Sequence, residues 1–223
     1  MPNPNSARRR QPEPPFYTLE QLDALCEQII MQFCMDRYGQ ELNPVPTQAL
    51  LQLLEEHAHD VDQLAELPEG VHGVTLYYCD RKPDVKISAD LTRQHWREVR
   101  QRTTITHECA HAIQHAPLWR GLGNGPFVEG PISQSCRCEY SEHLLAQWDD
   151  RMEFQARYMS GSFLKLKSRV QRLAQKLADT KRMALPVDPT SSASIYLIEH
   201  MVVAFHVSRD AAAVRLKRLG LMK

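Results

Sequence analysis

The sequence predicts an α+β fold that is mainly helical, with a small β-sheet and a closing pair of helices. Three observations predict it. Apolar residues recur at helical spacing through most of the chain, two short strand-like runs interrupt them before residue 90, and residues 191–221 read as helix, short turn, helix. Of the 223 residues, 43% are hydrophobic and 24% charged, which excludes a disordered or collagen-like chain. The expected organisation is a disordered segment over 1–15, a main domain over 16–183 and a C-terminal segment over 184–223.

Five of the 14 prolines fall within residues 1–15, beside Arg8, Arg9 and Arg10, and leave nothing there to bury. From Thr18 the series Leu19, Leu22, Leu25, Ile29, Ile30, Phe33 predicts a helix ending near Gly39. A second helix is predicted from Thr47 to about His57, carrying Leu50, Leu51, Leu53 and Leu54. Val74–Cys79 and Val85–Ala89 read as two strands of a hairpin, with Asp80-Arg-Lys-Pro-Asp84 supplying the turn. A long helix is expected from about Thr92 to Pro117, because the residue before a proline disfavours helix. Six glycines and prolines between Gly121 and Pro131 predict a long surface loop over 118–148, with a short helix near 139–147. Helices from Asp150 to about Phe163 and on towards Met183 follow, and Pro186, Asp188 and Pro189 break the chain before the closing pair.

Net charge is zero but unevenly placed. Residues 1–150 hold 13 basic against 22 acidic residues, and 151–223 hold 14 against 5. A basic C-terminal part fits either an acidic partner, nucleic acid included, or the solvated helix faces that Lys165, Lys167, Arg169, Arg172 and Lys176 would form. No apolar run approaches the roughly 18 residues that span a bilayer, and no stretch is of signal-peptide type, which predicts a soluble cytoplasmic protein with no membrane partner. The six cysteines are then expected as reduced thiols. Cys136 and Cys138 form a C-x-C pair that reads as loop thiols more readily than as a metal motif.

The residues that carry chemistry are His107-Glu108-Cys109-Ala110-His111, an H-E-x-x-H pattern. Side chains four apart on a helix lie about 40° apart around its axis, so both imidazoles can reach one Zn2+ ion. Glu108 lies beside them as the general base, able to take a proton from the attacking water and pass it to the leaving amine. Ile105, Cys109, Ala112 and Ala116 form an apolar stripe almost opposite the two histidines.

A catalytic zinc takes three protein ligands. The extended pattern with a third histidine six residues after the second is excluded, because Gln114 and Pro117 occupy its glycine and histidine positions. His115 is rotated about 80° from His107, an awkward third ligand. Glu129, Glu139, Glu142 and Glu153 are the available carboxylates. Glu153 is favoured because the small Ala156 and Ser160 flank it and let another helix approach. The alternative makes it part of a capping box with Asp150.

In Thr104-Ile-Thr-His107-Glu-Cys-Ala-His111, Glu153-x-x-Ala156, and the closing Arg215-Leu216-Lys-Arg-Leu219-Gly220-Leu221, the chain resembles the ImmA/IrrE family of zinc metallopeptidases. The resemblance, which also takes in the Val85-Lys-Ile-Ser strand, covers most of residues 70–223. It implies a zincin-like metallopeptidase domain over 16–183, a helix-turn-helix-like segment over 184–223, and zinc held by His107, His111 and Glu153. It also implies a substrate class, a cognate helix-turn-helix repressor of a mobile element or stress regulon. Two features depart from the family. Phe163-Leu-Lys-Leu-Lys167 stands where the family often has Leu-Met-Pro, and the Cys136/Cys138 loop has no counterpart.

A further donor would help hold the tetrahedral oxyanion, and His143, Tyr140 and Tyr158 are candidates by position. Ser208 is a good helix N-cap, and Arg209, Arg215, Lys217 and Arg218 could meet phosphates, so an alternative is a DNA-binding or anti-repressor module with a vestigial metal site. The apolar series from Ile195 to Leu219 instead reads as a packed helical pair, and direct DNA binding is not expected of it. A zinc hydrolase of another substrate class is the third reading.

Overall fold

The computed structural model describes residues 12–120, 135–139 and 151–223, with the backbone alone at 135–139. Helix α1 (Leu19–Tyr38) starts and stops where its sequence says it should. The Thr18 hydroxyl accepts from the Gln21 amide, and the Gln21 side chain accepts from the Thr18 amide, a reciprocal capping box. Gly39, at φ +66°, ends the helix in the left-handed region that a side chain would resist. Helix α2 (Thr47–His57) buries Leu50, Leu51, Leu53 and Leu54, as predicted.

Four strands, β1 (Asp60–Ala65), β2 (Val71–Leu76), β3 (Asp84–Ser88) and β4 (Ser135–Glu139), form one sheet in the order β1-β3-β2-β4. Strand β2 runs antiparallel to β3 and β4, and β1 is parallel to β3. The predicted hairpin is β2 and β3, with β2 displaced to start at Val71 and end at Leu76. The two outer strands were not predicted. β1, Asp-Val-Asp-Gln-Leu-Ala, puts polar residues side by side at Asp62 and Gln63 and apolar ones at Leu64 and Ala65, and β4, Ser-Cys-Arg-Cys-Glu, has no aliphatic residue, so neither sequence alternates apolar with polar as a strand would. The stretch expected to be loop therefore holds a strand that ends at Glu139; the rest of the helix predicted over 139–147 lies outside the described residues.

The single helix expected from Thr92 to Pro117 is instead a series. Helix α3 (Ala89–Thr92) and a 3-10 turn lead into α4 (Glu98–Ala110), a π turn (His111–His115) and α5 (Ala116–Arg120). The chain stays helical through Pro117. A proline ring normally collides with the carbonyl four residues back; here Pro117 follows a wider π turn, in which the Ala116 amide bonds to the His111 carbonyl five residues back.

Helices α6 (Arg151–Leu164), α7 (Lys167–Lys181), α8 (Ser192–Phe205) and α9 (Arg209–Arg218) complete the chain. Leu197, Met201, Phe205, Ala212 and Leu216 of the closing pair share one hydrophobic core with Leu22 of α1, Ile105 of α4 and Phe163 of α6. The pair is thus packed into the main body. At the other end, Pro14 is buried, and the Pro14 and Pro15 carbonyls accept hydrogen bonds from Arg151 and Gln155, which corrects the expectation of disorder at 12–15. No helix among the described residues is long and apolar enough to cross a membrane.

Lys165, expected on a solvated helix face, is buried with no ion-pair partner among the described residues. Burial, then the charges of Arg215, Arg218 and Arg102, pull its ammonium from an ordinary 10.5 to about 7. Between those values the unfolded chain holds the proton that the folded chain has lost, so stability rises with pH and the cost is fully present below pH 7. Lys165→Met should therefore stabilise the protein by about 1–4 kcal/mol at pH 6, with the gain shrinking as pH rises toward 9. Urea unfolding at pH 6 and 8.5 measures this, and no gain at pH 6 would refute it.

Candidate metal centre

Helices α4 and α6 pack closely because small and hydroxylated side chains meet between them. Ala156 is fully buried, and the Ser160 hydroxyl lies 2.9 Å from the Thr106 hydroxyl and donates to the Thr103 carbonyl. This contact carries Glu153, near the start of α6, to the two histidines. His107 Nε2 lies 3.3 Å from Glu153 Oε2, His111 Nε2 lies 3.2 Å from Glu153 Oε1, and the two Nε2 atoms are 3.0 Å apart. Ligand atoms of a tetrahedral zinc, each at 2.0–2.1 Å, stand roughly 3.3 Å from one another. The two nitrogens and the two carboxylate oxygens are spaced much as such ligand atoms are, and His107, His111 and Glu153 could hold a metal ion.

The electrostatics are those of a coupled group. Burial alone would raise the Glu153 carboxyl, but hydrogen bonds from His107 and His111 and their charge outweigh it and hold it well below the ordinary carboxylate range. Burial alone would lower His107, and Glu153 and Glu108 reverse the sign and raise it. Glu153 also lies 3.9 Å from Arg157. Its carboxylate faces the histidines rather than turning back as a cap; Asp150, the other half of the alternative capping box, lies outside the described residues.

Glu108 is completely buried. Thr75 Oγ1 donates to its Oε2 at 2.6 Å, while Oε1 has no hydrogen-bond partner among the described residues. Burial pushes its carboxyl above the ordinary range, against the opposing pull of His107 and His111. A carboxyl raised by burial, with one oxygen unfilled, is placed to accept a proton and pass it on. It fits against β2 because Gly73 has no side chain: a Cβ there would stand 2.9 Å from both Glu108 Cδ and Thr104 Cγ2.

Three neighbours of the site come from alternate positions of one strand segment. Gly73 meets Glu108, Thr75 bonds it, and the Tyr77 hydroxyl lies 2.9 Å from His111 Nδ1. Two strand residues advance about 6.7 Å and one helical turn about 5.4 Å, so strand and helix stay in step over this distance. The sequence reading missed these residues, although a glycine, a threonine and a tyrosine at period two, alternating with Val74 and Leu76, were a usable signal. Tyr77 is itself stacked on Trp119, ring centroids 5.2 Å apart.

His115 is not a ligand. Its Nδ1 lies 2.9 Å from His111 Nδ1, on the side of that ring away from Glu153. Tyr158, a candidate oxyanion donor, is also elsewhere: it lies five residues after Glu153, about 140° around α6. Its hydroxyl donates to Asp23 at 2.9 Å, and burial, reinforced by Asp23, pushes it up to about 12. The other two candidates, His143 and Tyr140, lie outside the described residues, as do Glu129 and Glu142. Cys136 and Cys138 stand in β4 opposite Thr75 and Gly73, on a strand rather than a loop.

Compared with protein-family models, curated proteins and solved structures, the chain matches none.

Proposed function

We propose that this protein is a zinc-dependent endopeptidase. The observation that carries the reading is the convergence of His107, His111 and Glu153 on one point, with the buried Glu108 in the H-E-x-x-H position beside them. His107, His111 and Glu153 would hold the zinc, which when bound would supply Lewis acidity to the reaction. Glu108 takes a proton from the attacking water and delivers it to the nitrogen of the breaking peptide bond. Thr75 orients that carboxylate through its bond to Oε2, and Gly73 makes room for it.

The substrate class rests on the resemblance to the ImmA/IrrE metallopeptidases: a helix-turn-helix repressor of a mobile element or stress regulon, cut in the cytoplasm. Direct DNA binding is not part of the proposal. Arg215, one of the four basic residues that could meet phosphate, is buried and paired with Asp23 at 2.7 Å.

The test is zinc per chain by elemental mass spectrometry, on wild type and on His111→Ala and Glu153→Gln. About one zinc in wild type and much less in both variants is expected for a three-ligand site. A folded wild type that takes up none after zinc is added would overturn the reading and favour an interaction module.

A further inference from the structure

From the far side of His111 a chain of hydrogen bonds leads out to the N-terminal segment. His111 Nδ1 lies 2.9 Å from His115 Nδ1, His115 Nε2 lies 3.1 Å from Gln155 Oε1, and Gln155 Nε2 donates to the Pro15 carbonyl at 2.7 Å. Arg151, one turn before Gln155, donates to the neighbouring Pro14 carbonyl at 3.0 Å.

The direction of every bond follows from its outer end. A carbonyl only accepts, so Gln155 must turn its NH2 to Pro15 and its oxygen to His115. An amide oxygen only accepts, so His115 must carry its proton on Nε2. His115 is fully buried with no carboxylate on either ring nitrogen, so it is neutral and its Nδ1 is a bare acceptor. His111 must then carry its proton on Nδ1. The Tyr77 oxygen, 2.9 Å from the same nitrogen, shares that proton as a second acceptor. That leaves Nε2, 3.2 Å from Glu153 Oε1 and 3.0 Å from His107 Nε2, as the nitrogen that would face a metal.

We propose that Pro15, Gln155 and His115 form a positioning chain that holds a proton on His111 Nδ1 and so leaves Nε2 to a metal, making the N-terminal segment part of the metal centre. Gln155 and His115 touch neither substrate nor metal and act only through His111. The metal-binding consequence rests on the zinc reading above, whereas the tautomer itself does not. Outer partners of this kind typically change metal affinity 10- to 100-fold.

The experiment joins two readouts on the full chain. Long-range 1H–15N correlation of 15N-histidine-labelled, metal-free protein reports which ring nitrogen carries each proton, and dye competition reports zinc affinity. Wild type should show His111 as Nδ1–H and His115 as Nε2–H. Gln155→Met, which keeps volume but removes both bonds, should mix the His111 tautomers and weaken zinc about 10-fold or more. His115→Phe should weaken it further, and His115→Gln, which restores an acceptor opposite His111 Nδ1, should recover most of the loss. A wild-type His111 with no proton on Nδ1, or a folded Gln155→Met with that proton unchanged, overturns the proposal. A wild type with the expected tautomers that binds no zinc would leave the chain standing and sink the zinc reading.

Discussion

Glu108→Gln is expected to keep its zinc and lose about 100- to 10,000-fold in kcat for peptide hydrolysis, the range that removal of a general base covers. The amide has the shape of the carboxylate and does not disturb His107, His111 or Glu153, so metal content per chain should match wild type. What is lost is the ability to accept a proton on the buried side chain. The same change should make the metal-free protein more stable. Burial raises the Glu108 carboxyl, so the ionised form is disfavoured in the fold, and wild type loses stability as pH rises from the ordinary carboxylate value through the raised one. Gln removes that loss. Normal zinc with full turnover would remove Glu108 from its role, whereas loss of zinc along with activity would make its contribution structural.

Asp23→Ala should destabilise the protein by about 3–5 kcal/mol in urea unfolding, without touching the candidate metal centre. Asp23 is buried in α1, and its Oδ1 accepts from Arg215 of α9 at 2.7 Å and from Ser162 of α6 at 2.8 Å, while Tyr158 donates to Oδ2. Removing it leaves the Arg215 guanidinium buried beside Lys165, whose carbonyl accepts from Arg215 Nε at 3.0 Å but whose ammonium offers no compensating charge. An uncompensated buried charge is the expensive outcome, more than the loss of the pair itself. The double variant Asp23→Leu with Arg215→Met should therefore regain most of the stability that the single variant loses. A single variant costing under about 1 kcal/mol would show the network to be dispensable.

This network also shows why the closing helices could be found but not placed. The N-cap Ser208 and the apolar series that ends at Leu219 are local signals, and α8 and α9 form where those signals stand. That Arg215 turns inward to Asp23, 192 residues earlier, is invisible to any local pattern. Lys165 and Tyr158 were misjudged for the same reason. A lysine after an amphipathic helix is usually solvated, and a tyrosine five residues from a ligand is near it in sequence but around the back of the helix in space.

The site divides along the same line. Four-residue spacing on a helix is a matter of backbone geometry, so the approach of His107 to His111 was legible before any fold was known. The helix starts at Thr18 and Ser208 were legible too, because a cap involves only its next few residues. Glu153 required two helices to touch, and the sequence could offer only the small Ala156 and Ser160 as a hint that they would. Gly73, Thr75 and Tyr77 required a strand to run in step with a helix, and His115 required a π turn that no residue pattern announced. Local spacing is governed by bonds and dihedrals that the neighbouring residues specify. The pairing of distant surfaces is governed by which of many apolar faces bury each other, and that choice is made only by the assembled core.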